Sequence, residues 1–343
     1  MIVVFELHFV DMSILVLYGI VLIVMGIYFI RKSGTAEEFM VAGRSLPSWA
    51  AGLAVMSAYT SSISYIATPG KAFDDNWNPI LFSLCIVPVA WFTCRYVITY
   101  YRKLGIISVY KFLEDRLGSW ARAYAAFCFL MLMIGRVAVI LYLASLLLGQ
   151  FVPVSLIVLI VSIGIVTIIY TLLGGMQAVV WTDVIQSAIM IVGIIFCAVS
   201  LSISIFSGEN PLIQHALENQ KFSWGSLDFD LTRRTVWVMI IFGLVDNLRN
   251  LIADQNYVQK YSSVATEAEA KRSIWIAMLI YIPLTAVFLY IGTALFAYYG
   301  PGGHMLPAEI AKGDEVFPYF IATELPIGLR GLIIAAIIAA AMS

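Results

Sequence analysis

Residues 49–68 read WAAGLAVMSAYTSSISYIAT. The run is long enough to cross a bilayer, which takes about 20 mostly apolar residues. Its middle, SAYTSSIS (57–64), is nevertheless dense in small hydroxyl side chains. Ser and Thr compete with the backbone for hydrogen bonds and weaken a helix interior. A helix that comes apart here releases carbonyls at mid-membrane, where such backbone is tolerated only if it lines a cavity or is buried in protein. Close helix packing is the other reading, because small side chains let helices approach. Spacing alone leaves both open.

Outward from this stretch, apolar runs recur at 12–30, 79–100, 120–149, 152–173, 178–206, 235–244, 273–299 and from 329 to 343. The chain has 62% hydrophobic and 12% charged residues, against about 25% charged in soluble domains. It therefore reads as an all-α multi-pass membrane protein, a single transmembrane domain over 1–343. The net charge of −1 gives no electrostatic case for nucleic acid. All four cysteines (Cys85, Cys94, Cys128, Cys197) fall in apolar runs without metal-ligand spacing and read as packing residues. The three histidines (His8, His215, His304) lie in polar connections, which argues against a buried His-based catalytic or zinc site. The N-terminus lacks the basic region and cleavage site of a signal peptide, so the first span is expected to stay in place. Lys and Arg alternate between successive short loops, dense at Arg31, Lys32 and Arg44, at Arg102, Lys103, Lys111 and Arg116, and at Lys260, Lys271 and Arg272. The positive-inside rule then places the N-terminus outside, with the chain expected in the cell (inner) membrane.

Charge inside a span costs at least about 2.5–3.5 kcal/mol and marks a partner or a cavity. Arg136 has YAAFCFLMLMIG before it and VAVILYLASLLL after it, roughly 18 Å of helix on either side, too far to snorkel. It reads either as an anchor for an anionic group, since guanidinium pairs two-pronged with carboxylate, or as a structural partner of an acid on another helix. Asp183 reads as a cation ligand or as a helix N-cap. The seventh span begins apolar, TVWVMIIFGL (235–244), then turns polar at Asp246, Asn247, Arg249, Asn250 and Asp254. Asp246 and Arg249, three apart on a helix, are placed to pair. Two interrupted spans, each opening a helix set, point to an inverted repeat around a central site. The sets are 49–206 and 235–343, with 12–30 as an extra N-terminal helix.

Several motifs resemble the sodium:solute symporters, and among them the bacterial sialic-acid transporters. They are GGMQAVVWTDVIQ (174–186), AEEFMVAGR (36–44), SVYKFLEDR (108–116), GRVAVILYL (135–143), DQNYVQKY (254–261) and LPIGLRGLIIAAIIAAAMS (325–343). The resemblance runs from about residue 6 onward. It implies ten core helices in two inverted five-helix repeats behind the extra helix, and inward symport of a small solute driven by sodium. The main sodium site would match Ser57, Thr60, Ala340 and Ser343, and a second sodium would match Asp183. The substrate carboxylate would be held by Arg136, with Ser61 and Ser64 contributing. Tyr59 and Ser83 stand where the sialic-acid branch has threonine and glutamine, so the pocket has a different shape. The expected substrate is an organic anion, a carboxylated sugar such as sialic acid, with a neutral sugar or other small solute as the alternative. By the same resemblance the chain stops within the eighth core helix and reads as an N-terminal fragment of a longer gene product.

Other classes fare less well. No Gly-rich phosphate loop with Lys supports ATP drive, and the spans hold no nucleophile or metal cluster suited to an enzyme. A sensor that binds on the same fold without moving solute stays open.

Overall fold

A computed structural model describes residues 7–29, 34–105, 108–149, 151, 154–206, 212–308, 310 and 312–342. The described residues form helices α1 (Phe9–Phe29), α2 (Ala36–Val41), α3 (Ser48–Tyr59), α4 (Ser62–Asp74), α5 (Ile80–Leu84), α6 (Ile86–Phe92), α7 (Ile98–Lys103) and α8 (Val109–Leu117), then α9 (Ser119–Leu148), α10 (Leu156–Phe206), α11 (Ile213–Glu218), α12 (Val236–Leu248), α13 (Gln255–Ser262), α14 (Glu267–Tyr298), α15 (Gly313–Thr323) and α16 (Leu329–Met342). Six helical stretches among the described residues are long and apolar enough to cross a membrane. The 79–100 run is the α5–α7 stack, continuous through a π turn at Thr93–Val97.

The hydroxyl-rich run is two helices. Thr60 (φ −104°, ψ 90°) and Ser61 (φ −95°, ψ 174°) leave the helical region between α3 and α4. The Thr60 hydroxyl turns back on the Met56 carbonyl at 3.2 Å, the competition with backbone expected of Thr. The polar end of the seventh span breaks likewise. After α12 comes a π turn, Arg249–Ala253, and Asp254 is extended (φ −82°, ψ 115°) and caps α13 through the amide of Asn256.

The run 152–173, from Leu156 onward, and the run 178–206 fall in the two limbs of α10, bent at Gly175 (φ 55°, ψ −156°). That φ suits glycine alone, and the Phe39 backbone crosses where its Cβ would stand. Asp183 lies two turns inside the second limb, which overturns the N-cap reading.

The long α14 packs across both α3 and α4, with Gly52 fitted against Ile276 and Gly292 against the carbonyl of Pro69. The N-terminal helix α1 lies along α10 and α16. Its Asp11 is fully buried, and Asp11 Oδ1 accepts from the amides of Gly328 and Gly331, each at 2.8 Å. One helix thereby caps another. By contrast α9 presents a nearly continuous apolar surface outward, from Trp120 and Tyr124 to Leu130 and Ile134. That is the face of a span seen by lipid.

Two stretches read as plain connections carry structure. Residues 301–324 hold α15, which packs on α4 and donates from the Gly313 amide to Asp74 Oδ2 (3.2 Å). In 207–234, Lys221 Nζ donates to the carbonyls of Phe73 (2.6 Å) and Asp74 (2.9 Å) and sits over the Phe296 ring. The loop is fastened to the end of α4.

A methyl at Gly292 meets backbone that has no room to yield. Overpacking of this kind costs about 1–3 kcal/mol. Gly292→Ala is therefore expected to lower the unfolding temperature of the detergent-purified protein. Gly19→Ala, with open space around the position, serves as the control and is expected to leave it unchanged or slightly raised.

Candidate functional site

The break at Thr60–Ser61 opens onto two adjoining cavities that share Ser61, Met133 and Arg136 in their walls. The larger, about 400 Å³, is bounded by Tyr59, Ser61 and Ser64 of the broken helix and by Arg136 of α9. Asp246, Arg249 and Asn250 close another side, with Tyr257 and Tyr281 completing it. This volume is in the range of small-molecule sites, about 300–1,000 Å³. The smaller, about 240 Å³, brings Ser57 and Ala58 of α3 together with Ala340, Ala341 and Met342 of α16.

Arg136 reaches from mid-span to the break, where its Nη2 donates to the Ala58 carbonyl at 3.0 Å. The Tyr257 hydroxyl donates to the same oxygen at 2.9 Å. Ala58 sits in the last turn of α3, where carbonyls have no partner within the helix. Two side chains from two other helices therefore hold the broken end. Tyr59 packs its ring against Tyr257 (centroids 4.6 Å apart) and Tyr281 (5.1 Å), forming an aromatic wall. Asp246 and Arg249 do pair: Arg249 Nε to Asp246 Oδ1 is 3.0 Å. Asn250 donates to Asp246 Oδ2 and accepts from Arg249, and buried Asp254 lies 3.5 Å from Arg249. The cavity thus shows two guanidinium groups and one carboxylate, each already engaged.

The other positions distribute as follows. Thr60 is buried beside the smaller cavity's Ser57, with its hydroxyl turned to Met56. Ser83 Oγ donates to Thr285 Oγ1 at 3.0 Å and is buried, outside the lining of either cavity. Ser343 lies outside the described residues. Asp183 is 1% exposed and faces Lys260, equally buried, with Nζ 2.9 Å from Oδ2. Neither Asp183 oxygen receives an aligned hydrogen bond among the described residues. Removing one partner of a buried pair leaves the other charge unmet, at about 3–5 kcal/mol.

Lys260 was counted as an inner-loop charge for orientation, but it is a core residue. Its signal lay in DQNYVQKY, where Tyr257 and Lys260 are three apart and share a helix face. Tyr281 carried no such signal inside its apolar run.

Residues 39–343 match the family model described as the sodium:solute symporter family. The chain belongs to that family. It is 34% identical to the sodium/sialic acid symporter SiaT of Proteus mirabilis, over 98% of this chain and 69% of that one. It is 32% identical to the sodium/sialic acid symporter NanT of Aliivibrio fischeri, over 93% of this chain and 63% of that one. It also superposes on the substrate-bound outward-open structure of a sodium-coupled sialic acid symporter with a TM-score of 0.93, at 33% identity over 98% of this chain and 71% of that one. The chain thus spans about two thirds of these proteins, and the all-helical membrane fold is shared.

Tyr257→Phe is expected to lower stability by about 1 kcal/mol, the net worth of one hydrogen bond. Combined with Arg136→Met, the loss should exceed the sum of the two single losses, because the Ala58 carbonyl then loses both side-chain donors. Denaturation of the purified variants in a double-mutant cycle reads the excess directly.

Proposed function

We propose that this protein is a sodium-coupled secondary active symporter that imports a small organic anion, a carboxylated sugar such as sialic acid. The observation that carries the reading is Arg136, a guanidinium held at mid-span in a cavity walled by hydroxyls and tyrosines, directly at a helix break. Both relatives named above are sodium/sialic acid symporters, and the cavity chemistry suits an anion with many hydroxyls.

Sodium is a co-transported substrate here. It is a hard cation and takes oxygen ligands. Carbonyl and hydroxyl oxygens of Ser57 and Thr60 on the break, with Ala340 on α16 and Ser343, which follows it in the sequence, are the proposed main site. The support is that Ser57 and Ala340 line one cavity. Asp183 is the proposed ligand of a second sodium. Ser61 and Ser64 face the substrate hydroxyls, Tyr59 stacks on the ring, and Ser83 acts from behind the tyrosine wall. Interrupted helices at Thr60–Ser61 and at Asp254 support an inverted repeat of 49–206 and 235–343, with α1 outside it. The N-terminus faces outward on this reading.

The sequence of events follows from the hydrogen bonds. An arriving carboxylate is a stronger acceptor for Arg136 than the Ala58 carbonyl. It therefore draws the guanidinium off the broken end, which Tyr257 continues to hold. Sodium at the break stiffens the same carbonyls. Sodium and substrate each favour the arrangement the other needs, and the coupling is reciprocal.

Uptake of radiolabelled sialic acid into proteoliposomes of the gene product is expected with an inward sodium gradient and absent without one. Arg136→Ala is expected to weaken the acid at least about thirtyfold, from the roughly 2–5 kcal/mol of a broken buried charge pair, and to spare an uncharged analogue. Equal loss for both ligands overturns the anchor role. Sodium-dependent stabilisation without sialic-acid uptake redirects the substrate to a neutral sugar or another acid.

A further inference from the structure

The Asp183 carboxylate stands deep between α10, α3 and α13, and it already has a cation. Lys260 Nζ lies 2.9 Å from Oδ2, both side chains are 1% exposed, and the same ammonium donates to the Ala54 carbonyl of α3 at 3.3 Å. Lysine is almost never buried this deeply unless paired. Yet the pair is incomplete: Oδ1 has no aligned donor among the described residues. A carboxylate neutralised by one ammonium attracts little further positive charge, and the open Oδ1 is the edge at which an incoming cation first meets it.

We propose that Lys260 is a tethered competitor of sodium at Asp183. The ammonium neutralises the carboxylate when the site holds no ion, and a sodium ion binds there only by displacing it. The inference rests on the reading of Asp183 as a sodium ligand and concerns what sets its affinity.

The displacement has a mechanical consequence. Lys260 and Tyr257 lie on one face of α13 and grip α3 at the carbonyls of Ala54 and Ala58, one helical turn apart. When sodium pulls Asp183 away from Lys260, the ammonium is left to swing free. The hold on Ala54 is then loosened while that on Ala58 remains. Occupancy at Asp183 thereby acts on the broken helix that forms the substrate cavity.

The test is thermal stabilisation of the detergent-purified gene product across a series of sodium chloride concentrations, with choline chloride holding ionic strength constant. Lys260→Gln keeps a donor for Ala54 and removes the competing charge. It is expected to reach half-maximal stabilisation at a sodium concentration at least tenfold below wild type. The gain is expected to vanish in an Asp183→Asn background. Lys260→Arg, whose two-pronged pairing covers both carboxylate oxygens, is expected to shift the requirement upward, and it decides the matter if Lys260→Gln cannot be purified folded. An unshifted or higher sodium requirement in Lys260→Gln, with Asp183→Asn still altering the response, overturns the competition while leaving Asp183 as a ligand. No effect of Asp183→Asn on the response removes the ligand reading and the proposal together.

Discussion

The Ala58 carbonyl is the point on which the rest of the site depends. A helix cannot end at mid-membrane without something donating to its loose carbonyls, because lipid offers no donor. Here the donors are Arg136 from α9 and Tyr257 from α13. The break places Ser61 and Ser64 on the larger cavity and Ser57 on the smaller. The cavity-lining residues are thus neighbours of a structural necessity, and a ligand of Arg136 would act on the backbone that the other residues share.

Around this centre the two ends of α3 and α4 are fastened differently. At the α3 end, Leu46 bridges to Val264, and Arg102 donates to the carbonyls of Val264 and Ala265. With Lys260 on Ala54, these contacts tie α3, and through Arg102 α7, to α13 and the start of α14. At the α4 end, Lys221 covers the carbonyls of Phe73 and Asp74, and α15 leans on Asp74 through Gly313. Both ends use charged side chains on backbone carbonyls, interactions that yield one at a time without opening the apolar core between them.

Composition and apolar runs were enough to read the membrane class, and the hydroxyl cluster at 57–64 located the break. Arg136 announced itself by distance from either end of its span. The Asp246–Arg249 pair followed from helical spacing. What stayed hidden was partnership across the fold. Asp183 looked equally like a cap because the bend at Gly175, which lengthens its helix by two turns, depends on Phe39 crossing from another segment. Lys260 looked like a loop charge because nothing local shows that α13 tucks beneath α3. Tyr281 lay in an apolar run with no distinguishing neighbour. Periodicity reports which face a residue takes, and long-range packing decides what that face meets.

The cap supplied by Asp11 joins α1 to α16 through a carboxylate gripping two amides, deep in protein and away from competing water. Helix α1 is therefore no loose passenger at the lipid boundary. It is fastened to α16 by these two bonds and packs along α10 as well. A spectroscopic label on the exposed face of α1, for instance at Ile20, would therefore report on a helix anchored to the protein interior and not on one free in the lipid.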